Sequence, residues 1–527
     1  MRIFFYWVLV AFSNTVAAQV NLAAVQKNIE KHVAYLASDS LEGRRAGTAG
    51  ELKAMNYISR QFASNGLQPK GANGFYQAFD IYDGKDMAAE TKLILQNREL
   101  KKHTEYFLLP YSADTTISTA VEWVLLDSIL TLAKNNPHFD VQNAMYEKAK
   151  ALQEAGASAV FFTNSSGFEN PRFESKSRLP QLKIPVVYLA DQLSDVKKSS
   201  TALHATLTTR LADKKRTGHN VIGYIDNNAA HTVVLGAHYD HLGYGEDGNS
   251  TFRGEGKHIH NGADDNASGT ATLIELSRLL KTSTAKNNNY LFIAFSAEEL
   301  GLFGSKYFVE NPTIPLNNIN YMINMDMVGR LNDSSQTLTI GGFGTSLQWA
   351  NVIKGNESLR IKTDSSGAGP SDHASFYRKD IPVLFYFTGL HTDYHKPSDD
   401  FDKINYKGAA LITQHIHELI KALDAIPKLT FLKTREMQVV NTSFRVTLGI
   451  MPDYTFSGSG VKADGISDGR PAANAGLKAG DIITRIGDIE ITDINAYMKA
   501  LGAFNKGQTT TIRYKRGNEE KETSLTF

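Results

Sequence analysis

Apolar residues near the start of the chain recur at the spacing of an α-helix. Between residues 23 and 70 they form one buried face, interrupted by a loop, SDSLEGRRAGTAGE, that is rich in glycine and charge. The members of this face are Ile29, Val33, Leu36, Tyr57, Ile58 and Phe62. The spacing predicts two helices separated by that loop.

From about residue 209 to 426, short apolar runs alternate with helical patterns. The runs TVVLGAH, LFIAF, INYMINMD and IPVLFYFTG predict strands, and residues 268–280 and 407–425 predict helices. Strand–helix alternation at this spacing is typical of an α/β domain. We therefore expect a mainly parallel-stranded sheet in this region.

Two further regions differ in sequence pattern from the 209–426 region. In residues 91–208, the short runs VEWVLL and ASAVFFTN flank a polar helix, NAMYEKAKALQEAG, a pattern that differs from that of the 209–426 region. After Pro427, a linker over 427–435 leads into a glycine-rich module over 436–527. A chain of 527 residues is too long for one ordinary domain, so we expect three or four units.

The N-terminal stretch MRIFFYWVLVAFSNTVAAQ has the pattern of a secretory signal peptide. Arg2 precedes an apolar run over residues 3–12, and small residues follow at 16–18. The alternative is a membrane anchor, but the run is about half the length that a spanning helix needs. We expect residues 1–18 to be removed and the protein to be periplasmic or secreted, with no later membrane span.

Charge and cysteine content narrow the chemistry. Lys and Arg number 56 against 55 Asp and Glu, so the formal charge of +1 gives no reason to expect nucleic acid or an anionic membrane as a partner. The chain has no cysteine, which excludes disulfides and thiolate metal sites. Any transition-metal site must therefore use His, Asp and Glu.

Acidic and histidine side chains follow each predicted strand of the 209–426 region. They are His238 and Asp240 after the first strand, Glu298 and Glu299 after the second, Asp326 after the third, and the loop HTDYHKPSDD after the fourth, with Asp264 and Asp265 in the loop HNGADDNASG. The carboxyl ends of parallel strands meet at one edge of a sheet, so these groups should converge.

Carboxylates gathered in this way repel one another unless a cation neutralises them. Histidine and carboxylate ligands without thiolate suit zinc or a related divalent metal.

The adjacent pair Glu298–Glu299 suits two different roles. Neighbouring residues at the end of a strand point in different directions, so both cannot easily bind one ion. One carboxylate can therefore act as a metal ligand while the other stays free as a general base.

Five separate motifs, GAHYDH, GADDNASG, SAEELGLFGS, NMDMVGR and DYHKPSDD, resemble those of the M28 family of di-zinc aminopeptidases and occur in the family's order. The stretch LASDSLEGRRAGTAGE resembles the opening helix and loop of that family. The resemblance covers residues 19–90 and 209–426 as a catalytic domain of the zinc aminopeptidase fold, a sheet sandwiched by helices. It implies a metallo-aminopeptidase that uses two zinc ions (Zn2+) to hydrolyse N-terminal residues from peptides, and the signal pattern adds the expectation that this enzyme is exported.

The same resemblance implies a role for each site residue. His238 and Asp326 would bind one zinc ion, Glu299 and His395 the other, and Asp265 would bridge them, with a cis peptide bond following Asp265. Glu298 would be the general base, and Tyr394 would stabilise the oxyanion. Asp240 would lie behind His238 and orient its imidazole.

Several assignments have alternatives. Asp264 could be the bridge in place of Asp265, and His391 could replace His395, although the H-x-P-x-D context favours His395. The other candidates near these motifs are expected to be loop or supporting residues and not ligands: His241, His258, His260, Asp372 and His373.

The two additional modules also resemble known domains. The 91–208 insert resembles a protease-associated (PA) domain, which either limits access to the cleft or is a structural appendage. The 436–527 module resembles a PDZ domain, with a carboxylate-binding loop at residues 448–450 and the matching stretch SDGRPAANAGLKAGDIITRIGD. We expect this module to bind a C-terminal peptide ligand.

Three other functions compete with aminopeptidase activity. A carboxypeptidase of the same fold would need a basic pocket, for which Arg330 and Arg378 are the nearby candidates. A glutaminyl cyclase would use one zinc ion and would not need the complete two-metal set. A non-catalytic peptide-binding protein is expected to have lost ligands, and every one of the five ligand positions is filled in this sequence.

Overall fold

The computed structural model describes most of the chain after its N-terminal segment. The described residues are 20–135, 141–164, 175, 177, 179–190, 204–252, 254–434, 446–452, 459–466, 469–492 and 494–527. The predicted signal peptide, residues 1–18, lies outside them. The chain divides into two compact units, one formed by Phe79–Gly218 and the other by the residues before and after that segment.

The first unit begins with two helices and a short strand: α1 (Leu22–Leu36), α2 (Ala49–Ser64) and β1 (Gln68–Pro69). Helix α1 starts after Asn21, whose side chain accepts a hydrogen bond from the backbone N–H of Ala24. This N-cap satisfies one of the helix's free donors. Helices α1 and α2 bury the predicted apolar face, so the expectation of two helices separated by a charged loop is confirmed.

The second unit, Phe79–Gly218, contains two four-stranded sheets. The elements from its first to its last strand are β2 (Tyr76–Met87), β3 (Lys92–Leu95), β4 (Arg98–Glu99), β5 (Tyr106–Leu108), β6 (Thr115–Ala120), β7 (Glu122–Leu125), α3 (Asp127–Asn135), α4 (Val141–Glu154), β8 (Val160–Thr163), β9 (Val186–Leu189), β10 (His204–Thr209) and β11 (Leu211–Ile225). One sheet, ordered β4-β3-β10-β6, is antiparallel, whereas the other, ordered β5-β9-β8-β7, pairs β7, β8 and β9 in parallel. The predicted strand–helix–strand segment corresponds to β7, α4 and β8.

The α/β domain of the first unit is built on a nine-stranded sheet. Its further elements are β12 (His231–His238), α5 (Gly269–Lys281), β13 (Asn288–Phe295), α6 (Phe303–Glu310), β14 (Ile319–Met325), β15 (Thr337–Gly341), α7 (Trp349–Val352), β16 (Arg360–Thr363), α8 (His373–Tyr377), β17 (Val383–Phe387) and α9 (Tyr406–Leu423). The strand order is β1-β11-β13-β12-β14-β17-β15-β16, and β2 pairs with β11. The four central strands, β13, β12, β14 and β17, are parallel as predicted, while β11 and β15 join them antiparallel on either side.

Helices cover both faces of this sheet. On one face, α1, α5 and α9 pack together over a core that includes Val233 and Leu235 of β12. On the other face, Phe308 of α6 and Phe376 of α8 pack against Val234 of the same strand. Strands β12, β13 and β14 are buried on both faces, which explains why their sequences are continuous apolar runs and do not alternate. The predicted sandwich of helices around the sheet is confirmed.

The C-terminal module has a six-stranded antiparallel sheet and its own core. Its elements are β18 (Ile450–Pro452), β19 (Val461–Ile466), α10 (Pro471–Asn474), β20 (Ile482–Ile486), β21 (Ile489–Glu490), α11 (Ile494–Ala503), β22 (Thr509–Arg516) and β23 (Glu519–Thr526). The buried carboxylate of Asp481 accepts two hydrogen bonds from Arg516, at 2.8 and 2.7 Å, which compensate for the loss of its hydration. No helix in the described part of the chain is long and apolar enough to cross a membrane.

Candidate metal centre

The polar residues that follow the central strands meet at the carboxyl edge of the sheet. His238 is the last residue of β12, Glu298 and Glu299 follow β13, and Asp326 follows β14 directly. The loop after β17 contributes His395. Two clusters result: the first cluster is His238, Asp265 and Asp326, and the second cluster is Asp265, Glu299 and His395.

The first cluster is centred on the Nε2 atom of His238. This atom lies 3.3 Å from Oδ1 of Asp265 and 3.3 Å from Oδ1 of Asp326. His238 is buried, and burial on its own lowers its pKa. The charges of Asp326 and Glu298 outweigh burial and raise the pKa of His238 well above its usual value. In the absence of a cation, the carboxylates therefore favour a proton on this imidazole.

The second cluster has the same construction around His395. The Nε2 atom of His395 lies 3.2 Å from Oδ2 of Asp265 and 3.2 Å from Oε2 of Glu299. The two oxygens of Asp265 thus face different histidines, Oδ1 toward His238 and Oδ2 toward His395. Asp265 is the member shared by both clusters, in the disposition expected of a bridging carboxylate.

The spacing of these atoms fits divalent zinc. Nitrogen and oxygen donors at 2.0–2.2 Å from a tetrahedral zinc ion are separated by about 3.3 Å, and the four histidine-to-carboxylate separations in the two clusters are 3.2 or 3.3 Å. Binding requires a neutral imidazole, so a cation would replace the proton that the carboxylates otherwise attract. Donor type and spacing therefore make each cluster a candidate site for a divalent cation.

Glu298 lies beside the clusters without being a member of either. Its backbone N–H donates to Oδ1 of Asp240 at 3.1 Å, which fixes the start of the loop after β13. Burial, together with the negative charges of Asp326 and Asp372, raises the pKa of Glu298 well above its usual value, although nearby His238 acts in the opposite direction. The two adjacent glutamates therefore have different environments.

Asp240 contacts His238 in a different way from the one expected. The Nδ1 atom of His238 lies 3.2 Å from the backbone carbonyl oxygen of Asp240, whereas the carboxylate of Asp240 is 3.8 Å away. That carboxylate accepts hydrogen bonds from the backbone N–H groups of Glu298 and Glu299. Asp240 thus supports the glutamate loop with its side chain and orients the imidazole with its main chain.

The two alternatives considered for the ligands, Asp264 and His391, pair with each other. Oδ2 of Asp264 lies 3.1 Å from Nε2 of His391, and Oδ1 accepts a hydrogen bond from the backbone N–H of Gly329 at 2.7 Å. These contacts occupy both oxygens of Asp264. The geometry therefore favours Asp265 and His395 as the groups that face the cations.

The loop that carries Asp265 is held from two sides. The carboxylate of Asp399 accepts the backbone N–H groups of Asp264 and Asp265 at 3.0 to 3.2 Å. The amide of Asn266 donates to the carbonyl of Met325 at 2.9 Å, which ties this loop to the end of β14 beside Asp326. The peptide bond between Asp265 and Asn266 is cis, as the family resemblance implied.

Tyr394 lies directly beside the second cluster. Its ring stacks on the imidazole of His395, with centroids 3.9 Å apart. Burial and the charges of the surrounding carboxylates, Asp265 foremost, raise the pKa of Tyr394 well above its usual value, so the phenol keeps its proton. Thr251 fixes both residues, since its hydroxyl donates to the carbonyl of Tyr394 at 2.7 Å and its N–H donates to that of His395 at 2.9 Å.

Two residues have closer contacts with the site than their sequence context indicates. His241 lies with its Nδ1 atom 2.7 Å from Oε1 of Glu299, and it forms a possible metal-binding group with Asp265 and Glu299. Arg44 is buried, and its guanidinium donates to the backbone carbonyls of Leu36, Tyr239, Asn261 and Gly262. The sequence signal that could have indicated the contact of His241 with Glu299 is the position of His241 immediately after the H-x-D pair.

The α/β domain therefore carries paired histidine–carboxylate clusters at the carboxyl edge of its sheet, and donors of these types suit divalent metal ions such as zinc. Residues 220–420 match Peptidase family M28, and residues 443–527 match the PDZ domain family. The chain therefore contains an M28 peptidase domain followed by a PDZ domain.

Similar proteins include Aminopeptidase YwaD of Bacillus subtilis (strain 168), which is 28% identical over 295 residues, or 52% of this chain and 60% of that protein. Leupeptin-inactivating enzyme 1 of Streptomyces exfoliatus is 29% identical over 196 residues, or 36% of this chain and 39% of that protein. The chain thus spans less than two thirds of either relative. A solved zinc aminopeptidase from Bacillus subtilis aligns at a TM-score of 0.45 and 23% identity, covering 77% of this chain and 95% of that structure.

Proposed function

We propose that this chain is an exported zinc-dependent aminopeptidase that removes N-terminal residues from peptides and holds two zinc ions. The single observation that carries the proposal is Asp265, whose two carboxylate oxygens face two separate histidine–carboxylate clusters. Glu298 beside them supplies a carboxylate for proton transfer. The name of the similar Aminopeptidase YwaD supports the choice of substrate class.

Different residues of the chain have different roles in the proposed reaction. When bound, zinc ions supply Lewis acidity, which acidifies a water molecule and polarises the scissile carbonyl. Glu298 accepts the proton of the attacking water and passes it to the leaving amine. Tyr394 donates a hydrogen bond to the oxygen on which negative charge develops, and the carboxylates of the site hold the free amine of the substrate.

Carboxypeptidase activity receives less support. Of the two candidate arginines, Arg330 donates to Oδ2 of Asp393 at 3.1 Å, and Arg378 is exposed at the end of α8. A carboxylate already paired with Arg330 competes with a substrate carboxylate for the same guanidinium. A glutaminyl cyclase with one zinc ion would not require two histidine–carboxylate clusters.

The PDZ domain is proposed to bind the C-terminal ends of peptides. Gly449, in the predicted carboxylate-binding loop, has a φ of 77°, and a Cβ atom there would lie 2.1 Å from Cβ of Arg470. Backbone N–H groups of such loops commonly bind a terminal carboxylate, and β18 lies at the edge of the sheet, where a peptide strand can be added. The 91–208 insert is proposed to be a protease-associated domain.

Aminopeptidase activity is tested with a panel of aminoacyl chromogenic substrates and their N-acetylated counterparts. The free-amine substrates are expected to be hydrolysed and the acetylated ones not, since acetylation removes the positive charge that the carboxylates hold. Chelation should abolish the activity, and added zinc should restore it. Equal rates on blocked and free substrates would contradict exopeptidase action, and activity that survives complete metal removal would contradict the metal mechanism.

The role proposed for Tyr394 predicts that Tyr394→Phe lowers kcat by about 10²-fold, the loss seen when one oxyanion donor is removed. KM should change much less, because the hydrogen bond forms in the transition state. Steady-state kinetics on one aminoacyl substrate measures both constants. The matched control is Tyr386→Phe, which removes the hydroxyl that contacts Nδ1 of His415 at 3.1 Å; an equal loss of kcat in that variant would contradict a specific role for Tyr394.

A further inference from the structure

The two oxygens of Glu299 have different partners. Oε2 lies 3.2 Å from Nε2 of His395, inside the second cluster, whereas Oε1 lies 2.7 Å from Nδ1 of His241. The same nitrogen of His241 is 4.0 Å from Oδ2 of Asp265. Donor atoms of one tetrahedral zinc ion are separated by about 3.3 Å, so His395 has the spacing of a ligand to Asp265 and His241 does not.

The ring of His241 is held in a fixed position. Its side chain is fully buried, and its backbone N–H donates to the carbonyl of Arg44 at 3.3 Å. Gly262 packs against the ring, and a Cβ atom at that residue would lie 2.4 Å from Cδ2 of His241. The edge of the His395 ring completes the packing, with centroids 5.9 Å apart. These contacts enclose the imidazole with its Nδ1 atom beside Oε1 of Glu299.

We propose that His241 is a positioning residue for the second metal ion. It donates a hydrogen bond from Nδ1 to Oε1 of Glu299, which leaves Oε2 as the oxygen presented to the cation. The inference rests on the proposed function, since it presumes that the second cluster holds zinc. Partners that fix a ligating carboxylate commonly change metal affinity by about 10–100-fold when they are removed.

The test measures zinc binding by the full-length protein in competition with a chromophoric chelator. The variants are His241→Ala, His241→Asn and His241→Gln. The amide nitrogen of asparagine occupies nearly the position of Nδ1, whereas that of glutamine reaches the position of Nε2. His241→Ala and His241→Gln should weaken one of two zinc-binding steps by about 10–100-fold, and His241→Asn should stay within about threefold of the natural protein. If His241→Ala fails to fold, comparing the zinc affinities of His241→Asn and His241→Gln still tests whether the hydrogen bond from Nδ1 is required.

A matched control is His32→Asn, which alters another buried histidine of the same unit, whose Nδ1 contacts the hydroxyl of Tyr57 at 2.8 Å. Both zinc steps should be unchanged in this variant. Wild-type affinity in all three His241 variants would overturn the inference. Loss of one zinc equivalent in His241→Asn as well as in His241→Ala would also overturn it, because His241 would then be a ligand itself. Failure of the natural protein to bind zinc would instead refute the proposed function.

Discussion

Glu298→Gln is expected to lower kcat by about 10²–10⁴-fold, the usual contribution of a general base, while both zinc ions remain bound. Glutamine has nearly the same shape as glutamate and can still fill the space beside the clusters. It cannot accept a proton from water. Because Glu298 lies outside both clusters, the donor atoms around each cation stay in place.

The measurement pairs steady-state kinetics with the zinc content of the same preparation. Glu275→Gln provides the control, since Glu275 is also a buried glutamate but pairs with Arg278 within helix α5. Its kcat should equal that of the natural protein. Loss of zinc from Glu298→Gln would make Glu298 a ligand, and an unchanged kcat would exclude it as the base.

The central part of the fold could be predicted because its strands are buried on both faces. Strand β13, for example, is buried along its whole length, and its apolar run ends at Phe295, shortly before Glu298 and Glu299. A run of this kind has no solvent-facing positions that would obscure the pattern. Helix α9 was predicted over 407–425 and is found over Tyr406–Leu423 for a similar reason, since its buried face recurs at a regular interval.

The outer strands could not be predicted in the same way. Strand β16 (Arg360–Thr363) has four residues, none of them fully buried, and β6 (Thr115–Ala120) alternates between exposed and half-buried positions. Short strands of this composition form because a neighbouring strand offers hydrogen bonds, and that partner is distant in the sequence. The antiparallel additions to the sheet and the division of the insert into two sheets therefore became visible only in the structure.

In the site, too, the residues at strand ends could be predicted from the local sequence, whereas contacts between residues far apart in the chain could not. His238, Glu299 and Asp326 could be predicted because each lies at or just after the end of a recognisable strand. The contact of His241 with Glu299 joins residues 58 positions apart, and that of Arg44 with Gly262 joins residues 218 apart. An arginine in a glycine-rich loop is usually solvated, and nothing in the local sequence indicates that four backbone carbonyls surround this one.

Asp265→Asn is expected to lose zinc and activity but keep its fold, whereas Asp264→Asn is expected to keep zinc but lose stability. The two residues are adjacent, and both are buried. Asp265 presents one oxygen to each cluster, and asparagine, with one carbonyl oxygen and no charge, cannot replace it in both. The variant should bind zinc weakly at both sites and lose about 10³-fold or more in kcat/KM, equivalent to several kcal/mol of lost transition-state stabilisation. Its fold should persist, because the loop is still held by Asp399 and Asn266.

Asp264→Asn should instead keep both zinc ions and lose stability. Its carboxylate contacts His391 and accepts the backbone N–H of Gly329, so the substitution weakens charge-assisted hydrogen bonds at a cost of about 1–3 kcal/mol in the free energy of unfolding. Zinc content and denaturant unfolding of the metal-free proteins measure the two effects separately. A bridging carboxylate binds both cations at once. If Asp264→Asn lost zinc while Asp265→Asn retained it, Asp264 would be the bridging residue, and the proposed arrangement of the two clusters would be contradicted.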